Sequence, residues 1–128
     1  MVNVLVVAFL LLHGAVHLGV WMPHPPAADG TPVPFEPDHS AVLSRASVGV
    51  GVERRIATAL AYATAAAYVG AGLAVAAGNS WAVGVAVLAS ALGLTLKALF
   101  FNPWLTLGVA LDLLVLSAAV LEWPVSPG

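Results

Sequence analysis

The sequence predicts an all-α integral membrane protein, a bundle of four transmembrane helices, and three observations carry that prediction. First, 61% of the 128 residues are hydrophobic and 8% are charged, with a mean hydropathy of +1.00. A soluble domain covers itself with a surface of roughly 25–35% charged residues, which four Lys/Arg and six Asp/Glu cannot supply. Second, the charges fall in blocks: residues 1–28 and 56–96 contain none, and Lys97 is followed only by Asp112 and Glu122. Third, Trp21, Trp81, Trp104 and Trp123 each sit at an end of a predicted span, where indole rings meet the headgroups.

A helix needs about 20 apolar residues to cross a ~30 Å hydrocarbon core. Four segments reach that length, at about 2–22, 54–78, 81–101 and 104–123, all within one transmembrane domain spanning 1–128. The first runs into Pro23, Pro25 and Pro26. Gly78-Asn79-Ser80 closes the second, Asn102-Pro103 the third and Pro124 the fourth, each a turn or stop signal. The first span lacks the basic n-region and the short apolar run of a cleaved signal peptide, so it is expected to stay in the protein as a helix.

Residues 23–53 form a proline-rich polar loop holding six of the nine prolines. Proline neither continues a helix nor donates to a sheet, so an extended path is expected. Asp38 or Ser40 can cap a helix, and Ser40 to Val52 reads either as an interfacial helix or as a downward extension of the second span. Arg45, Arg54 and Arg55 flank that span, and Lys97 falls at the same side of the bilayer. The positive-inside rule then places this loop in the cytoplasm and both termini outside. The three arginines read as solvated topogenic charges or as contacts for anionic headgroups.

His13 and His17 stand one turn apart on the first span, and share an arc of about 100° with Asn3, Gly14 and Trp21. That face is expected to point inward, because a polar group facing lipid has no partner. An i, i+4 histidine pair can hold a metal ion, ligate haem or pass protons, with His24, Glu36, His39 or Asp112 as further ligands. His39 is the loop candidate for a metal set with His13 and His17. The competing reading makes the two imidazoles neutral hydrogen-bonding groups that hold helices together.

Lys97 and Asp112 are the charges well inside spans, about 9 Å and about 13 Å from the turn near Pro103 at 1.5 Å per residue. Helix side chains lean toward the N-terminus, which brings Lys97 toward the depth of Asp112, so an intramembrane ion pair is expected. It reads either as a clasp fixing helix register or as a proton or ion site. Ala86, Ser90, Gly93 and Lys97 share one face of the third span, and Ala66, Gly70, Ala74 and Gly78 recur on the second. Both rows read as packing seams, within the bundle or between protomers. Tyr62 and Tyr68 fall on different faces and make no site together.

Several classes are excluded or unsupported. Zero cysteines exclude thiolate metal sites, disulfides and cysteine nucleophiles. A net charge of −2 without a basic stripe argues against nucleic acid. No phosphate loop, nucleophile elbow or helical carboxylate repeat marks an enzyme.

Leu12-His13-Gly14-Ala15-Val16-His17-Leu18, three later spans, and a Phe101-Asn102-Pro103-Trp104 turn leading into Gly108 and Asp112 resemble small four-helix bacterial membrane proteins of the DoxX-like kind. The resemblance covers the layout and implies a prokaryotic inner-membrane protein, in a group with members associated with quinone-linked or thiol oxidation. It carries no functional residue onto a position of this chain.

Three functions stay open at this level. The chain reads as a non-enzymatic accessory or scaffolding subunit, in a homo-oligomer or larger membrane complex. Alternatively it is a redox, metal, haem or quinone-linked protein using His13 and His17, or a small proton-coupled transporter using Lys97 and Asp112. The sequence itself requires no cofactor.

Overall fold

A computed structural model describes residues 1–23, 25, 27–32, 35 and 39–122. The protein is all-helical, with no strand among the described residues. Helix α1 spans Val2–Trp21, α2 Ala41–Arg45, α3 Val50–Ala76, α4 Ala82–Leu99 and α5 Thr106–Val120, with a 3-10 turn at Pro103–Leu105 before α5. Four of these segments, α1, α3, α4 and α5 with its leading turn, are long and apolar enough to cross a membrane. Large apolar side chains lie exposed on each of them, among them Leu12, Leu73, Leu88 and Leu114. Such a surface suits hydrocarbon, which needs no polar cover.

The helix ends follow from local chemistry. Gly78 takes a left-handed φ of 65°, letting its N–H reach the carbonyl of Val75 at 3.1 Å and that of Asn79 reach Ala74 at 2.9 Å. Two carbonyls left open by the end of α3 are thereby satisfied, the Schellman arrangement that favours glycine. Between α4 and α5, the Asn102 side chain accepts from the Trp104 N–H at 2.9 Å and Pro103 opens the 3-10 turn, where its missing N–H costs nothing.

The stretch from Ser40 to Val52 resolves into both readings at once. Ser40 caps α2 by accepting from the Leu43 N–H at 3.1 Å. Ser47 then takes a positive φ of 60°, breaking the helix before α3 begins at Val50. Glu53 thereby enters α3, fully buried, accepting from the Ser40 N–H at 3.0 Å and the Ser44 hydroxyl at 2.8 Å. The Ser40 hydroxyl also donates to the Leu99 carbonyl at the end of α4. One carboxylate therefore ties α2 down on the bundle. Replacing it in Glu53→Ala leaves two donors without their acceptor, and tryptic cleavage at exposed Arg45 should then accelerate several-fold relative to wild type. Unchanged cleavage kinetics would remove Glu53 from this role.

Packing follows chain order: α1 lies against α3, α3 against α4 and α4 against α5. Close approach between α1 and α3 depends on Gly14, where an added Cβ would lie 3.1 Å from both the Ala65 carbonyl oxygen and Tyr68 Cβ. The small-residue face of α4 is buried throughout, at Ala86, Ser90, Gly93 and Lys97. On α3 the buried face instead runs through Ala57, Ala61, Thr64, Ala65, Tyr68, Ala71 and Gly72. Of the every-fourth-residue row, Ala74 is buried and Gly70 half-buried near Val85, while Ala66 and Gly78 are exposed, so only its middle lies in a seam inside this bundle. Each step of four residues rotates about 40° around the helix, and three steps carry the row off one face.

Two apolar clusters divide the interior. One gathers Leu10, Tyr68, Ala71, Ala86, Ala89, Val115 and Ala119. The other, toward the loop, gathers Trp21, Ala57, Ala61, Leu96, Phe100 and Leu105. Trp21 does not face the headgroups. It is buried edge-on against Phe35 at 4.8 Å and Phe100 at 6.0 Å between ring centroids, while Trp81 and Trp104 are exposed. Trp123 and Pro124 lie outside the described residues.

Candidate functional site

Between the two apolar clusters lies a polar one, drawing on all four long helices. From α1 come His13 and His17, from α3 Tyr68, from α4 Ser90 and Lys97, and from α5 Asp112. Lys97 is 4% exposed and Asp112 fully buried. A bare charge at the centre of a membrane helix costs about 2.5–3.5 kcal/mol on insertion scales, so such groups must find partners.

Asp112 is the hub. Its Oδ2 receives the Lys97 ammonium at 2.7 Å, and its Oδ1 accepts from Tyr68 Oη at 2.7 Å and from His13 Nε2 at 2.8 Å. The Tyr68 hydroxyl also lies 3.4 Å from Ser90 Oγ. Lys97 Nζ turns in addition to His17 Nε2 at 2.8 Å, and His17 Nδ1 lies 2.9 Å from the backbone oxygen of His13. A carbonyl only accepts, so Nδ1 of His17 carries the hydrogen and Nε2 presents its lone pair to the ammonium. His13 in turn donates Nε2–H to the carboxylate. With both imidazoles neutral, the Lys97 and Asp112 charges cancel. No buried side-chain nitrogen or oxygen among the described residues lacks a partner.

Aromatic contacts fix the imidazole planes. Phe9 stacks on His13 with 9° between planes, and Tyr68 meets His13 edge-on at 4.6 Å. His13 and His17 themselves meet edge-on at 4.8 Å.

Glycines make room for the charges in a reciprocal way. On α4, a Cβ at Gly93 would fall 2.5 Å from Asp112 Oδ2; on α5, a Cβ at Gly108 would fall 2.7 Å from Lys97 Cε. Each charged side chain thus lies across a glycine of the helix that carries its partner.

The candidates separate clearly. His13, His17 and Asp112 form the set of three whose ligand atoms lie within 4.8 Å of one another. His39 is apart from them, on the surface beside Ser44 and 3.9 Å from Glu53 Oε2, because the Ser40 cap holds it at the start of α2. His24 and Glu36 lie outside the described residues. Asn3 is exposed, so the polar face of α1 turns inward only from His13 onward. Tyr68 and Ser90 join the site although sequence reading gave Tyr68 no partner and Ser90 only a packing role. The signal for Tyr68 is its place among Ala61, Thr64, Ala65 and Ala71, small residues on the buried face.

No family model, curated protein or solved structure matches this chain. Its chemistry therefore rests on the buried cluster: a carboxylate taking three donors, and an ammonium held between that carboxylate and an imidazole lone pair.

Proposed function

We propose that this multi-pass membrane protein binds and passes protons at the His13–Asp112–Lys97–His17 cluster, as a small proton-coupled transporter. The observation that carries this reading is the Lys97 ammonium, 2.8 Å from the lone pair of His17 Nε2. A clasp between helices requires an ammonium and a carboxylate. The imidazole placed on the ammonium's other side adds a base in contact with an acid, and proton transfer requires that arrangement.

Orientation follows from the basic residues. Arg45, Arg54, Arg55 and Lys97 all belong to the end of the bundle that bears α2, which supports a cytoplasmic loop and external termini in a bacterial inner membrane.

Proteoliposomes loaded with a pH-sensitive dye test the proposal under a potassium diffusion potential. Wild type should move protons faster than protein-free vesicles, and His17→Ala should lose that flux by about tenfold or more, the scale of a positioned acid–base group. Folded protein that carries no more protons than empty vesicles would overturn it.

A second reading draws on a different observation. The network joins all four long helices and every buried polar atom among the described residues is partnered, which suits an accessory subunit whose polar groups hold the bundle in register. Such a subunit would act within a homo-oligomer or a larger membrane complex. Under this reading, His17→Ala changes stability and moves no flux.

A further inference from the structure

We propose that His13, His17 and Asp112 form a binding site for a divalent transition-metal ion of the Zn2+ class, and that the Lys97 ammonium is the tethered cation holding that place until the metal arrives.

The donor set fits this class. Two imidazoles and one carboxylate are nitrogen and oxygen ligands of the borderline kind that first-row metals take, and their ligand atoms already lie within 4.8 Å of one another. Around one tetrahedral ion at about 2.0–2.1 Å, ligand atoms stand about 3.4 Å apart, so the set has to contract, and His13 has to give up the Nε2–H it donates to the carboxylate and present a bare ring nitrogen to the metal. His17 carries the outer contact that metal-binding histidines use, its Nδ1–H on the His13 carbonyl, leaving Nε2 aimed into the cluster. Three protein ligands leave a fourth position open for water or another ligand.

Lys97 bridges two of the three donors. Its Nζ touches one metal donor of α1, His17 Nε2, and one of α5, Asp112 Oδ2, at 2.8 and 2.7 Å. A cationic nitrogen thus sits where those two donors converge. An ammonium and a divalent ion cannot share that place, because two adjacent positive charges would face one carboxylate in a medium of low dielectric. Entry of the metal therefore displaces the Lys97 ammonium from between those two donors. The Lys97 stem lies across Gly108, where α5 presents no Cβ.

This inference stands apart from the proton reading, and metal binding is measured separately. The probe is Co2+, titrated into chelator-stripped, full-length protein in mild detergent and followed by its visible ligand-field absorbance. Wild type should take one Co2+ per chain. Affinity should fall by about tenfold or more in His13→Ala and in His17→Ala, and rise by about tenfold or more in Lys97→Met. Absence of Co2+ binding to folded wild type would overturn the inference, and so would binding that survives both histidine substitutions. Proton flux in chelator-treated vesicles with no Co2+ binding would sink the metal site and leave the proton reading standing. Co2+ binding without flux would do the reverse.

Discussion

Asp112→Asn should be the most damaging single substitution in the chain. The carboxylate takes three donors at 2.7–2.8 Å, from Lys97, Tyr68 and His13, and the amide that replaces it brings no charge and two N–H donors of its own. The Lys97 ammonium is then buried without a counter-ion. Breaking a buried ion pair from one side costs about 3–5 kcal/mol, expected here as a fall in Tm of about 10 °C or more in detergent. The double variant Lys97→Met with Asp112→Leu should recover much of that loss, since removing both charges also removes the cost of burying them. A single variant that melts like wild type would mean that the pair contributes nothing to the fold.

Gly93→Ala should come next, though it removes no interaction. The added Cβ would fall 2.5 Å from Asp112 Oδ2 and 2.9 Å from its Cγ. Three hydrogen bonds hold that carboxylate, so it cannot swing away, and α4 and α5 must part instead. Overpacking of this kind costs about 1–3 kcal/mol, and here it should also loosen the Lys97 contact. Gly84→Ala is the control, with nothing within 4 Å of the added Cβ, and should melt like wild type. At Gly108 the obstructing atom is Lys97 Cε, part of a longer and more pliant side chain, so Gly108→Ala should fall between the two. Equal melting of the Gly93 and Gly84 variants would show that α4 and α5 have room to spare.

The four spans are legible in the sequence because lipid imposes a coarse rule. A charge-free stretch of sufficient length, closed by glycine, asparagine or proline, has one stable form in a bilayer. The buried face of α4 was legible for a similar reason, since Ala86, Ser90, Gly93 and Lys97 keep to one side of the helix. The polar cluster was less so. Depth along the axis brings Lys97 and Asp112 level, but whether His13 reaches Asp112 and His17 reaches Lys97 depends on how α1 is rotated and where it stands, which its own residues do not encode. Tyr68 shows the same limit: as one hydroxyl in a run of alanines, it acquires meaning only when α5 presents an acceptor. Trp21 shows a local misreading, because the rule for indoles at interfaces gives way when a returning loop brings Phe35 over the ring.

The four long helices pack in chain order, and a hydrogen bond from His13 to Asp112 joins the first to the last. During biosynthesis this sets a sequence of events. His13 and Tyr68 enter the membrane first, Lys97 follows, and their common acceptor, Asp112, arrives with the last helix. Until α5 is inserted, the nascent protein holds an ammonium in the bilayer with no carboxylate to meet it. A chain that stops short of α5 keeps that ammonium without its carboxylate permanently.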